Sequence, residues 1–219
     1  MKTLQKSGGI AALYMAISHL IGIIIFIVVL DYINITDPTQ KLAVNIEKQS
    51  VIFSTNLLMY VFFGLALIVL SLALYDRMKS GTTALMQVAA AVGVIWAGSL
   101  IASGMAANAG LATVAALYVK DPTQAALTFQ AIESITNGLG NANGEILGGT
   151  WTLLVSLAAL RIGGLPKGLN ILGTLVGVVG ILTIIPALTD FTSLFGLGQI
   201  IWFVWIGIVL LRSDSRATA

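Results

Sequence analysis

Along this chain, long apolar runs alternate with short polar stretches, and that rhythm sets the first expectation. An apolar run of about 18 residues or more reads as a membrane-spanning helix, because hydrocarbon offers backbone N–H and C=O groups no partners except those within a helix. Six such helices are predicted, roughly Gly8 to Ile33, Val51 to Tyr75, Thr83 to Ala107, Gly140 to Arg161, Leu169 to Leu188 and Phe191 to Leu211. The expected fold class is all-α, a single integral-membrane bundle of six helices over residues 1–219. The first run follows Lys2 and Lys6, as a signal peptide would, but it continues through Leu30 without a small-residue cleavage site and is read as a retained helix.

Two of the polar stretches share a phrase, TDPTQ at Thr36 to Gln40 and KDPTQ at Lys120 to Gln124. In each copy Asp suits a helix N-cap and Pro the first helical position, where its missing N–H costs nothing. Gln then falls where a capping box closes. Both copies therefore announce short surface helices, KLAVNIEKQS after the first span and AALTFQAIESITN after the third. Beyond the phrase the two segments align poorly, and capping alone accounts for its recurrence.

Composition agrees with the pattern: 58% of residues are hydrophobic and 9% charged, against about a quarter charged in a soluble domain. Charge adds an orientation. With the N-terminus in the cytoplasm, Lys2, Lys6, Arg77, Lys79, Arg161, Lys167, Arg212 and Arg216 fall inside, leaving Lys41, Lys48 and Lys120 outside. Both termini are thus expected in the cytoplasm and both surface helices outside it. The formal charge of +2 is too small and too dispersed for nucleic-acid binding. The absence of cysteine excludes disulfides, thiolate metal sites and cysteine nucleophiles.

An unpaired polar group in hydrocarbon costs several kcal/mol, so each one present needs a partner or a task. His19, mid-way along the first span, is the only histidine, which rules out multi-histidine metal sites and bis-histidine haem within one chain. It is read either as an imidazole hydrogen-bonded between helices, with Ser18 in support, or as a ligand or proton-transfer group. The segment ESITNGLGNANGEILGGTW sets Asn137, Asn141, Asn143, Glu145 and Trp151 among glycines at the outer end of the fourth span. Its glycines suit either close helix packing, through Gly148 and Gly149, or an irregular backbone lining a polar cavity. Asn56 in the second span and Asn108 in the long third stretch are further candidates for the same cavity. That third stretch, Met86 to Val119, either continues past the bilayer or breaks near Asn108 and Gly110. Trp202 and Trp205 fit packing or lipid contact. No Walker loop, HExxH, GxSxG or paired intramembrane carboxylates occur, so no catalytic residue, metal or cofactor is assigned.

Several segments resemble a bacterial and archaeal membrane family, domain of unknown function 4386. They are SGGIAALYMAISHLIGI after the basic start, ALYDRMK closing the second span, GGLPKGLNILGTLVG joining the fourth and fifth, and IIWFVWIGIVLLR at the end. The resemblance implies a six-helix membrane protein of this length in a prokaryotic plasma membrane, and it transfers no activity. Three functions are then open. The leading expectation is a non-enzymatic protein that binds or passes a small or lipid-like molecule through an outward-facing cavity containing the residues named above. The others are an accessory or scaffold subunit packed against another membrane protein or another copy of itself, and an intramembrane lipid-modifying enzyme using Glu145 and His19 as acid and base.

Overall fold

The computed structural model describes residues 2–140 and 145–212, and among these every regular element is helical. The first helix, α1 (Lys2–Ile24), widens at its end into a π-helical turn at Ile25–Val29. Two short helices follow, α2 (Pro38–Glu47) and α3 (Gln49–Asn56), and a second π-helical turn at Leu57–Phe62 leads into α4 (Phe63–Tyr118). The chain continues through α5 (Pro122–Gly140), α6 (Ile146–Ile162), α7 (Lys167–Leu182), a 3-10 segment at Pro186–Phe191 and α8 (Thr192–Arg212).

Among the described residues three helical segments are long and apolar enough to cross a membrane, Thr3–Val29, Gln49–Tyr118 and Pro186–Arg212, while α6 and α7 are shorter and apolar. The segment Gln49–Tyr118 has 70 residues and would measure about 105 Å if straight. It is not straight. Thr82 has φ −144° and ψ 46°, outside helical space, and its hydroxyl donates to the Met78 carbonyl at 3.0 Å. The contacts of the two arms show a hairpin: Asn56 meets Asn108, Gly104 lies against Tyr60, and Gly93 against Ser71, each pair symmetric about position 82. The stretch from Met86 does not break at Asn108 or Gly110 but stays helical to Tyr118.

Both copies of the Asp-Pro-Thr-Gln phrase start helices. Asp37 Oδ2 accepts the Gln40 N–H and Asp121 Oδ1 accepts the Gln124 N–H, each at 2.9 Å, with proline at the first helical position. No return bond from either glutamine side chain is formed among the described residues, so each cap is a single acceptor and not a closed box. At the far end of α6, Gly163 takes φ +67°, a left-handed conformation that costs glycine little, and Pro166 then starts α7.

By contacts the chain forms two compact units. The first comprises Met1–Ile17, Gly64–Gly98 and Ala142–Ala219. Its core is a run of aromatic rings: Trp151 lies 5.9 Å from Trp96, 5.5 Å from Trp202 and 6.5 Å from Phe203, with Trp151 and Trp202 fully buried. Here α6 and α7 meet backbone to backbone, since a Cβ on Gly149 would lie 2.7 Å from the Gly177 carbonyl oxygen and 2.7 Å from the Ile181 nitrogen. Small residues let helices approach this closely where no hydrophobic force separates protein from lipid. The second unit comprises Ser18–Phe63 and Ser99–Asn141. Leu42, Val114, Ala125 and Phe129 tie α2, α4 and α5 together, and Leu30, Ile52 and Leu111 form a neighbouring cluster.

Candidate functional site

Within the second unit, polar side chains that hydrocarbon or a packed core would exclude converge on one cavity of about 120 Å³. Most elements of the unit contribute a wall. Phe26 comes from the first π-helical turn, Tyr32 from the bend after it, Asn45 from α2, and Ile52 and Asn56 from α3. Tyr60 comes from the second π-helical turn, Ser103, Ala107 and Leu111 from α4, and Phe129, Ile132, Glu133, Thr136 and Asn137 from α5. A π-helical turn inserts one residue into a helix, often at a functional site. At the second turn the Ser18 hydroxyl donates to the Leu58 carbonyl at 3.1 Å. Ser18 thus serves the backbone of its neighbour.

The lining groups are partly spent on one another. Asn56 Nδ2 donates to Asn108 Oδ1 at 2.9 Å, and Asn108 Nδ2 donates in turn to the Phe53 carbonyl at 3.3 Å. The Tyr32 hydroxyl donates to Asn45 Oδ1, which fixes both side chains. Ser103 donates to the Thr136 carbonyl at 2.8 Å and Thr136 to the Glu133 carbonyl at 3.1 Å, which fastens α5 to α4 and to its own preceding turn. Lys41 of α2 pairs with Glu133 of α5, and its ammonium stands 5.1 Å from the centre of the Tyr32 ring. Asn45, Asn56, Asn137 and Glu133 supply polar wall. Phe26, Phe129, Ile52 and Leu111 supply apolar wall. Such a site presents amide donors and acceptors and one carboxylate against aromatic and aliphatic surface, which is how small-molecule pockets combine orientation with affinity.

Glycines let the walls come together. A Cβ on Gly104 would lie 2.6 Å from Tyr60 Cβ and 3.1 Å from the Asn56 carbonyl oxygen, and one on Gly140 would lie 2.6 Å from Ser103 Oγ. Gly22 of α1 gives way to Met59, whose sulfur would be 1.9 Å from an added Cβ.

Of the residues singled out from sequence, Asn56 and Asn137 line this cavity and Asn108 is bonded to Asn56. His19 belongs to the same unit, but it is not a lining residue. Its ring stands edge-on to Phe63 at 5.1 Å, and the neighbouring Ser18 hydroxyl donates to the Leu58 carbonyl. Glu145 and Trp151 belong to the first unit. There the Glu145 main-chain N–H donates to the Thr183 hydroxyl at 2.8 Å, and Trp151 is core. Asn141 and Asn143 lie outside the described residues. Gly148 and Gly149 serve packing, the first against Trp96 and Phe195 and the second against α7. Tyr32, Asn45 and the Lys41 and Glu133 pair were not singled out from sequence. The one local signal was a buried Asn45 in the polar helix α2, spaced three residues from Leu42, and nothing local links Lys41 to Glu133.

Every regular element among the described residues is helical, and the longest are apolar enough to cross a membrane, which is compatible with a membrane protein. The chain matches the family described as Domain of unknown function (DUF4386) over residues 9–212, and it belongs to that family. Neither the curated proteins nor the solved structures include a match.

Proposed function

We propose that this protein is a six-span membrane protein whose second unit binds, or passes, a small amphipathic molecule through a cavity open to the outer side. The break at Thr82 supports the count of spans, because it divides Gln49–Tyr118 into two antiparallel arms that add to α1, α6, α7 and α8. The basic residues argue for cytoplasmic termini, which sets α2 and α5, with the cavity they help to line, on the outer side of a prokaryotic plasma membrane.

The observation that carries the functional reading is the concentration of side-chain amides on one aromatic-lined cavity, with Asn56 cross-linked to Asn108 behind it. A packed helix pair has no need of that concentration, since buried amides add stability only when fully paired. The size sets the occupant. A cavity of about 120 Å³ is slightly smaller than the roughly 150 Å³ that accepts benzene, so it takes a headgroup or the end of a molecule whose remainder lies in lipid.

The chain has no cysteine, so Ala107→Cys places a single thiol on the cavity wall. A single-chain amphiphile is expected to slow alkylation of that thiol severalfold while leaving Gly98→Cys, in the first unit, unaffected. Equal rates at position 107 with and without amphiphile would contradict the reading.

A further inference from the structure

Two walls of the cavity already hold a cation. The Lys41 ammonium is paired with the Glu133 carboxylate and stands 5.1 Å from the centre of the Tyr32 ring. Tyr32 and Glu133 both line the cavity, whereas Lys41 does not. A carboxylate and the face of an aromatic ring are the two groups with which proteins recognise alkylammonium ions. The ring is held in place by its hydroxyl, which donates to Asn45, and the carboxylate is carried on α5, which Ser103 and Thr136 anchor. Lys41, by contrast, reaches this corner from α2 on a flexible four-carbon stem, and the paired side chains keep 28% and 30% of their surface exposed. An ion pair so exposed is weak and is exchanged readily.

We infer that the cavity takes an organic ammonium, as a free amine or as the headgroup of a single- or double-chain lipid, and that Lys41 is the built-in competitor for its charge-recognition corner. The inference rests on the cavity reading above and names its ligand class. When the ligand enters, its ammonium replaces that of Lys41 on Glu133 and Tyr32, and the Lys41 side chain swings to water. The exchange keeps the Glu133 carboxylate paired while the ligand adds apolar burial against Phe26 and Phe129, whereas an uncharged headgroup that displaced Lys41 would leave the carboxylate without a cation. Lys41 lowers apparent affinity by the fraction of time it fills the corner, a roughly fivefold effect for a pair of this exposure.

The test is titration of the purified full chain, in uncharged detergent, with dodecylammonium, with dodecanol as its uncharged counterpart, and with n-butylammonium. Empty micelles are the blank. Dodecylammonium is expected to bind at one site, roughly fivefold more tightly to Lys41→Met, and not measurably to Glu133→Gln or to Ala107→Phe, which fills the cavity. Dodecanol is expected to bind much more weakly to all of them. Binding of n-butylammonium comparable to that of dodecylammonium would support the inference with a free amine as the source, and its absence would support it with a lipid as the source. Equal binding of dodecylammonium and dodecanol, both lost in Ala107→Phe, would overturn the ammonium class and leave the cavity standing. Unchanged affinity in Lys41→Met would overturn the role of Lys41 without depending on how Glu133→Gln folds. Binding that survives Ala107→Phe intact would overturn the cavity reading and the ammonium inference together.

Discussion

Asn56 Nδ2 donates to Asn108 Oδ1 at 2.9 Å across a hairpin of two long helical arms that turns at Thr82. The pair lies where Asn56 is also a wall of the cavity, so one contact fixes the register of the hairpin and the placement of a ligand-facing amide. A polar pair inside an apolar hairpin gains specificity because any other register leaves both amides unpaired.

Replacing either member by leucine is expected to destabilise the protein by about 1–2 kcal/mol, the cost of losing this bond and leaving the other amide one partner short. The double variant Asn56→Leu with Asn108→Leu is expected to lose less than the sum of the singles, with a coupling of roughly 1 kcal/mol. Reversible unfolding in mixed micelles measures this. Additive losses would mean that the two amides are energetically independent.

The glycines separate by what surrounds them. Gly149→Ala forces a methyl group onto backbone atoms of α7, which cannot move aside as a side chain would, and is expected to cost about 1–3 kcal/mol. Gly98→Ala meets nothing within 4 Å and is expected to be neutral or stabilising by up to about 1 kcal/mol through helix propensity. Thermal unfolding should therefore shift downward in Gly149→Ala and stay level or rise in Gly98→Ala.

Each aspartate cap should act on its own helix. Asp37→Ala is expected to raise amide exchange in the first turns of α2 roughly fivefold, and Asp121→Ala to do the same in α5, for a loss of about 1 kcal/mol each. Asparagine at either position should restore most of the protection. A global loss of protection from one substitution would show that the cap supports more than its helix.

These caps were legible in the sequence because capping is local: Asp, Pro and the receiving N–H sit within four residues. The apolar runs were legible for the same reason, and so was the packing role of Gly149. The cavity was legible only in part. Asn56, Asn108 and Asn137 stood out as amides in apolar surroundings, but Lys41 and Glu133 lie 92 positions apart and each looks like an ordinary surface charge. The π-helical turns at Ile25–Val29 and Leu57–Phe62 have no residue signature at all. Trp151 entered the candidate set by its place near glycines and a carboxylate, whereas ring contacts with Trp96 and Trp202, made by distant segments, put it in a core.

Topology is testable with single thiols, since the chain has no cysteine of its own. Thr123→Cys at the start of α5 is expected to react with a membrane-impermeant maleimide added to intact cells. Ser80→Cys, beside the hairpin turn, is expected to react only after the cells are opened. The reverse labelling pattern would invert the orientation, and labelling of both in intact cells would reject the six-span arrangement.

The central claim, that the second unit holds a small amphipathic molecule, is tested most directly by native mass spectrometry of protein extracted gently with its own lipids. A stoichiometric added mass on the wild type, lost in Ala107→Phe and retained in Gly98→Ala, is the result expected from the cavity between α3, α4 and α5. A wild-type chain that flies bare, or an added mass that Ala107→Phe leaves in place, would contradict it.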